Sequence, residues 1–134
     1  MRKVPLFSVI PMRVLAGPAL GMLEGALKYG RHNYRQVGVL ASVYVDACMR
    51  HVAQFWEGED LDPDSKAGLH HLDKAICSLM VLRDGMIKGN WVDDRPPKDD
   101  TDWIGAANRI ASSLIDAFPD PKTPITELNN GDVK

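Results

Sequence analysis

The sequence predicts an all-α fold, a small helical bundle in which the 134 residues form one domain. Apolar residues recur at spacings of three and four in four segments, the periodicity of helices that bury one face. A glycine directly follows each of the first three segments, at 30, 58 and 89, where glycine commonly ends a helix. No stretch alternates apolar and polar residues for long enough to predict a strand.

The four predicted helices cover residues 16–29, 39–57, 68–88 and 102–117, and Thr101 is expected to cap the last one. They belong to a helical core over 14–117. Residues 1–13 are basic and then apolar, but prolines interrupt the apolar part, so we expect an N-terminal arm and not a signal peptide. Residues 118–134 contain three prolines and no periodicity, and we expect a flexible tail.

The composition excludes some classes of function. Hydrophobic residues make up 45% and charged residues 25%, as in an ordinary globular protein. The net charge of −2 gives no general attraction to nucleic acid or to an anionic membrane. Cys48 and Cys77 fall inside predicted helices, where we expect buried thiols in a reducing cytoplasm.

Helices two and three are joined by a short loop, so they should lie antiparallel. If residue 57 faces residue 68, then Arg50 and His51 lie opposite the stretch from His70 to Lys74, to within about one turn. The acidic loop, residues 58–67, closes the nearer end of this zone.

Two interpretations of this zone remain open. Carboxylates suit magnesium, imidazole widens the choice to manganese, and lysine and arginine suit phosphate, so the zone fits a metal-bound polyphosphate. The alternative is a solvated helical face with ordinary salt bridges. The acidic loop does not match a calcium-binding loop, because Ser65 and His71 stand where that pattern needs glycine and glutamate.

The segment from Lys28 to Arg35 is a second candidate site, because basic residues and two tyrosines lie on both sides of a glycine. It either stacks a base on a tyrosine and holds phosphates with its cations, or is a polar loop with two anchoring aromatics. No nucleophile motif or phosphate-binding P-loop is present in the sequence.

The ordered segments GALKYGRHNY, YVDACMRHVAQFWEGEDLDPDS and GLHHLDKA resemble a phage-rich family of dATP/dGTP diphosphohydrolases. That family typically shows G-A-x-K-Y-G-x-x-N-W, Y-x-x-A-x-x-R-H, G-E-x-x-D-x-x-S-G and H-L-x-H-A in this order. The likeness extends from about Gly25 to Leu82. It implies a MazG-like helical bundle that is completed by homo-oligomerisation.

The resemblance assigns roles residue by residue. Substrate-binding residues are Lys28, Tyr29, Asn33, Tyr34, Arg50, His71 and Lys74. Catalytic residues are Glu59, Asp73 and His51. Metal ligands, of magnesium or manganese, are Glu59, Asp62, Asp73, His70, Glu57 and Asp60, where His70-x-x-Asp73 and Glu57-x-x-Asp60 are the nearest equivalents of the acidic pairs that hold magnesium in the MazG superfamily.

The sequence departs from the family pattern at three points. Tyr34 replaces a tryptophan, Lys74 replaces the second histidine of H-L-x-H, and the S-G pair is stretched over 65–68. These departures affect the base-stacking residue and the ligand on helix three.

The resemblance also implies a function. It is cleavage of the α–β phosphoanhydride of a purine deoxynucleoside triphosphate, dGTP or dATP, to the monophosphate and pyrophosphate, for remodelling a phage's nucleotide pool. The expected partners are this substrate and a second copy of the chain in a homodimer or homotetramer, with no nucleic acid and no membrane, in the cytoplasm of the infected cell. The alternatives are a non-catalytic phage module that binds a nucleotide or a protein, and a structural or adaptor protein.

Overall fold

The computed structural model describes residues 1–129 and divides into two units, Met1–Pro96 and the part from Pro97 onward. Two single-turn 3₁₀ helices, Phe7–Val9 and Met12–Leu15, precede the main elements. The main elements are α1 (Ala16–Tyr29), α2 (Asn33–Val37), β1 (Val39–Leu40), α3 (Ala41–Trp56), α4 (His71–Lys88), β2 (Trp91–Val92) and α5 (Trp103–Ala117). The predicted all-α class is confirmed.

Helices α3 and α4 form the centre of the first unit as an antiparallel pair, as predicted. His51, near the end of α3, contacts His71 at the start of α4. Val39, just before α3, packs against Gly85 near the end of α4, where a larger residue would clash with the valine. The buried apolar residues lie on these two helices or directly before them. They are Val39, Ala41, Leu69, Ala75 and Val81.

Helix α1 approaches α4 closely, because two glycines of α1 face it. A Cβ on Gly21 would lie 2.6 Å from the Cys77 sulfur, and a Cβ on Gly17 would overlap the Asp73 carboxylate. The Cys77 thiol also donates a hydrogen bond to the carbonyl oxygen of Pro18, at 3.1 Å. This close packing fixes the position of α1 over the first half of α4.

The acidic loop between α3 and α4 is closed at its base by backbone pairing. Leu61 and His70 form an isolated antiparallel bridge. Beside it, the Asp62 N–H donates to the Leu69 carbonyl and the His71 N–H donates to the Asp60 carbonyl, each at 2.8 Å. The ends of the loop are therefore held together independently of its tip.

Some element boundaries differ from the prediction for physical reasons. Helix α4 begins at 71, not 68, because residues 69 and 70 pair with the acidic loop and the His70 ring caps the helix by accepting from the Leu72 N–H at 3.0 Å. Helix α3 spans 41–56 and not 39–57, since residues 39 and 40 are in a strand. Residues 30–38, between the first two predicted helices, contain the short helix α2.

The prediction that the chain contains no strand was wrong. Strands β1 and β2 pair in parallel, Val39 with Trp91 and Leu40 with Val92. Strand β2 lies in residues 90–101, between the third and fourth predicted helices, and β1 lies at the start of the second predicted helix. The Asn90 amide donates to the carbonyls of Tyr34 and Arg35, at 3.1 and 2.8 Å, and ties this segment to α2. Strands of two residues have no detectable periodicity in a sequence.

The second unit contains α5 followed by irregular chain. Its N-cap is Asp102, whose carboxylate accepts from the Gly105 N–H at 3.0 Å, whereas the predicted cap, Thr101, hydrogen-bonds to Asp99 instead. The predicted flexible tail over 118–134 falls partly on residues 130–134, which lie outside the described residues. Within 1–129, no helix is both long enough and apolar enough to cross a membrane.

Candidate functional site

A cavity of about 590 Å³ lies within the first unit, bordered by α1, the loop after it, α2, and the facing sides of α3 and α4. Small-molecule sites typically have volumes of roughly 300–1,000 Å³. Polar and aromatic residues that line it are Tyr29, Arg31, His32, Asn33, Tyr34, Tyr44, His51, Lys74 and Ser78. The cavity thus joins the two candidate sites that the sequence presents separately.

Three tyrosines give the cavity an aromatic lining. Tyr29 and Tyr34 were predicted, and Tyr44 was not. Burial, and secondarily the neighbouring Tyr29, raises the pKa of the Tyr44 phenol. Tyr44 precedes His51 by seven residues on α3, a spacing that places both on one helix face, so the sequence did contain a signal for it.

The loop between α1 and α2 turns sharply at the cavity. Gly30 has φ 92° and His32 has φ 64°, both in the left-handed region. Histidine is among the few side chains that are enriched there. This conformation brings Arg31, His32 and Asn33 into the cavity lining.

Below the cavity, Glu24 of α1 is the centre of an ion-pair cluster. Its carboxylate accepts from the Lys74 ammonium at 2.6 Å, from the Ser65 hydroxyl at 2.6 Å, and from the Lys28 ammonium at 3.3 Å. These donors, Lys74 first, lower the pKa of Glu24 to about 2. The Asp62 carboxylate lies 3.9 Å from the Lys74 nitrogen and completes the cluster.

Glu24 was not among the predicted site residues. The sequence does carry a signal for it, because it is the one acidic residue in the predicted helix 16–29. An acidic residue on a largely apolar helix commonly has a specific partner. Apart from Lys28 on the same helix, its partners come from the acidic loop and α4, 41 and 50 residues away, and no local pattern predicts these two.

A chain of hydrogen bonds leads from the acidic loop to the cavity. The Glu59 Oε1 and the His71 Nε2 lie 2.6 Å apart, and the Nδ1 atoms of His71 and His51 lie 2.9 Å apart. His71 has 0% relative exposure, whereas His51 lines the cavity. Burial, as the largest cause, lowers the pKa of His51.

The predicted metal ligands have separate partners. His70 caps α4 through its Nδ1, and Asp73 lies against Gly17 at the start of α1. Glu59, also a predicted ligand, lies 2.6 Å from the Nε2 of His71. Glu57 and Asp60 are exposed, and Asp62 is buried beside Lys74.

These residues do not fit a preformed metal centre. Among residues 1–129, no three histidine, cysteine or acidic side chains are arranged so that they could hold a metal ion. The described residues that line the cavity also include no aspartate or glutamate. The cavity therefore offers cationic, imidazole, amide and phenol groups to a ligand, a lining that suits an anion.

The predicted substrate-binding residues divide into two groups. Tyr29, Asn33, Tyr34 and Lys74 line the cavity. Lys28 is paired with Glu24, Arg50 is exposed and outside the lining, and His71 is buried behind His51.

Residues 2–95 match the family model described as dATP/dGTP diphosphohydrolase, N-terminal. The chain belongs to this family. Every residue that lines the cavity lies within the dATP/dGTP diphosphohydrolase match, which ends at the border of the first unit, and α5 lies beyond it. No curated protein and no solved structure matches the chain.

Proposed function

We propose that the first unit hydrolyses dATP, dGTP or both to the monophosphate and pyrophosphate in the 590 Å³ cavity. One observation carries the proposal: the dATP/dGTP diphosphohydrolase match contains the complete lining of a cavity of suitable size that presents cations and no carboxylate among its described residues. Cleavage of a polyphosphate needs neutralisation of negative charge more than it needs a covalent group.

The lining supplies a group for each part of such a substrate. Tyr29 and Tyr44 both line the cavity and offer flat surfaces to a purine. The Asn33 amide both donates and accepts, as recognition of a purine edge requires. Arg31 and Lys74 bring positive charge to the phosphates.

We propose that the divalent cation, magnesium or manganese, arrives bound to the triphosphate. Magnesium retains several waters and usually binds to substrate phosphates with only one or two protein carboxylates. A cation carried by the substrate agrees with a cavity whose described lining has no carboxylate. It supplies charge neutralisation on the phosphates when bound.

The direct test is to incubate the purified chain with each of dATP, dGTP, dCTP and dTTP and to separate the products by chromatography. We expect pyrophosphate and the purine monophosphate in magnesium or manganese, no turnover in excess EDTA, and recovery when the metal is restored. Release of single phosphate, or undiminished turnover in EDTA, would contradict the proposal. Asn33→Ala should reduce the preference for purines over pyrimidines.

A nucleotide-binding module without turnover is the second candidate. It is favoured by one observation, the ion pair between Lys74 and Glu24, which leaves less free positive charge to stabilise the negative charge of a transition state. Protection against thermal unfolding by a nucleotide, without any product, would identify this module.

We also propose that the chain self-associates as a homodimer or homotetramer. Few apolar side chains are buried, whereas large ones on α1, α3 and α5 are exposed, and these include Leu27, Met49, Trp56, Trp103 and Ile115. Exposed apolar surface on this scale is typical of chains that bury it against a second copy.

A further inference from the structure

Helix α2, which brings Asn33 and Tyr34 to the cavity, is attached to the fold by two residues outside the described lining. We propose that Asn90 and Asp84 are positioning residues for recognition of the nucleotide base, because their contacts fix α2 and so fix the part of the cavity that α2 supplies. The proposal rests on the proposed function, in which Asn33 recognises the purine edge.

Helix α2 is too short and too exposed to fix its own position. It has five residues, all of them described, and none of them is buried. Isolated helices of fewer than about 12 residues are marginal in water, and a helix in a protein is normally stabilised by packing of an apolar face. Since α2 has neither length nor a buried face, its position must depend on polar contacts with the rest of the first unit.

The backbone on both sides of α2 adopts left-handed conformations. The φ angle is 92° at Gly30, 64° at His32 and 83° at Gly38. Glycine adopts such values freely, so the chain has conformational freedom at each end of α2. A histidine at positive φ is strained and persists only where surrounding contacts determine the conformation. The contacts that α2 makes therefore also determine the turn that precedes it.

Asn90 makes the first of these contacts. Its Nδ2 donates to the carbonyl oxygens of Tyr34 and Arg35, at 3.1 and 2.8 Å, so both amide hydrogens serve α2. The Val39 N–H would pair with the Arg35 carbonyl if the helix continued, but it donates to the Asn90 carbonyl instead, at 3.1 Å. The Asn90 side chain thus supplies the donor that the end of α2 lacks.

The backbone of Asn90 is itself fixed by α4 and by the segment before α3. Gly89, with φ 72°, ends α4, and the Asn90 N–H donates to the Gly85 carbonyl at 3.1 Å. A Cβ on Gly38 would lie 2.9 Å from the Asn90 carbonyl oxygen, so the two segments meet closely. The side chain that contacts α2 therefore extends from a fixed point of the backbone.

Asp84, on α4, makes the second contact. Its carboxylate accepts from the Arg35 Nε at 3.0 Å and from a terminal nitrogen of the same guanidinium at 2.7 Å. These hydrogen bonds lower the pKa of Asp84 and raise that of Arg35, so both groups are charged at neutral pH. An exposed ion pair contributes little to the free energy of unfolding, but a forked pair of this kind fixes the orientation of the guanidinium.

The two contacts should affect recognition of the base more than the chemistry at the phosphates. Asn33 and Tyr34 begin α2, and the carbonyls that Asn90 binds follow directly, so a shift of α2 moves the Asn33 amide. Misplacement by about 1 Å can reduce a rate constant by up to about 100-fold. His51 and Lys74 line the cavity from α3 and α4, which these contacts do not position, and we expect the phosphates to meet unchanged side chains.

The first experiment measures kcat and KM of Asn90→Asp with dATP, dGTP and dCTP. Aspartate keeps the shape of asparagine, but it loses both donors and places negative charge against two carbonyls. We expect KM for the purine nucleotides to rise about tenfold, with a similar loss of the preference for purines over dCTP in kcat/KM and little change in kcat. Asn108→Asp, at an exposed position in the second unit, is the matched control and should match wild type.

Asp84→Asn is the second variant and guards against misfolding of the first. It keeps the shape of Asp84 and removes the charge of an exposed ion pair, so we expect the wild-type fold and a smaller rise in the purine KM, about threefold. A KM that rises equally for purines and dCTP, or an unchanged purine KM in both variants, would overturn the positioning role.

A double variant separates positioning from a general loss of stability. If Asn90 acts through Asn33, then Asn90→Asp should change the purine preference of Asn33→Ala by less than about twofold. If the two substitutions instead reduce the preference by independent factors, Asn90 does not act through the Asn33 amide and the proposal is wrong.

The last experiment needs no turnover. Calorimetry with the α,β-methylene analogues of dATP and dGTP should give a Kd about tenfold higher in Asn90→Asp than in wild type. Equal Kd values would overturn the positioning role while leaving the hydrolysis intact. A wild-type chain that binds the analogues but releases no pyrophosphate from the nucleotides would overturn the hydrolysis, and the two Kd values would still decide the positioning role. A wild-type chain that binds neither analogue would overturn both.

Discussion

Glu24→Gln tests the ion-pair cluster below the cavity. Glutamine has the same shape and can still accept from the Lys74 ammonium and the Ser65 hydroxyl, so the variant removes mainly the negative charge. Lys74, whose side chain is 18% exposed, would then keep only Asp62, at 3.9 Å, as a counter-charge. A partly buried cation without a close partner is destabilising.

The magnitude follows from the Glu24 pKa. Its fall from 4.5 to about 2 corresponds to roughly 3 kcal/mol at neutral pH, at about 1.4 kcal/mol per pKa unit. Since water reaches the edge of the cluster, screening reduces the expected loss to about 1–2 kcal/mol. Because the folded pKa is the lower one, this stabilisation is complete above pH 4.5 and is lost as the pH falls towards 2.

Urea unfolding of wild type, Glu24→Gln and the exposed control Glu127→Gln, at one protein concentration, measures this loss. At pH 7 we expect Glu24→Gln to unfold at clearly lower urea than the other two proteins. At pH 3 the difference from wild type should shrink to about half. A difference that is the same at both pH values, or a Glu24→Gln midpoint equal to that of the control, would refute the assignment of the stabilisation to the Glu24 charge.

Three further predictions concern the packing of α1 on α4, the stacking of the purine on Tyr44 and the self-association of the chain. Gly21→Ala should be less stable than Gly25→Ala by about 1–3 kcal/mol in urea unfolding. The new methyl group at position 21 meets the Cys77 sulfur, whereas a methyl group at Gly25 meets nothing within 4 Å. Equal stabilities would contradict the close packing of α1. Tyr44→Leu should raise KM for the purine triphosphate about tenfold while Tyr44→Phe stays near wild type, and an unchanged KM in Tyr44→Leu would exclude a stacking role. Light scattering at micromolar concentration should give at least the mass of a dimer, and a monomer mass would refute self-association.

The parts of the fold that periodicity controls could be predicted from the sequence. The helical class, the antiparallel pairing of α3 with α4, and the placement of His51 opposite the start of α4 all follow from 3–4 spacing and a short loop. The aromatic loop after α1 could also be identified by its composition, and Tyr29 and Tyr34 do line the cavity.

The parts of the fold and the site that depend on the direction of a side chain or on a distant partner could not be predicted from the sequence. Asp73 and His71 are close in sequence, and pairing by residue number placed both in one zone, but the helix turns Asp73 towards Gly17. The role of Glu24 depends on Lys74 and Ser65, which only the packed fold brings to it. Similarly, two-residue strands are set by their tertiary pairing and not by local pattern.

Because Leu61 and His70 are joined by a backbone bridge, the positions of the functional side chains at the base of the acidic loop do not depend on the length of the loop. Glu59 and His71 lie just outside the closed base, so residues inserted or deleted between Ser65 and Gly68 would enlarge or shrink the tip without changing their distance. The stretch over 65–68, where this chain departs from the family pattern it resembles, falls in that tip. The fold thus allows the loop to vary among descendants of one ancestor while the residues that follow and precede it stay in register.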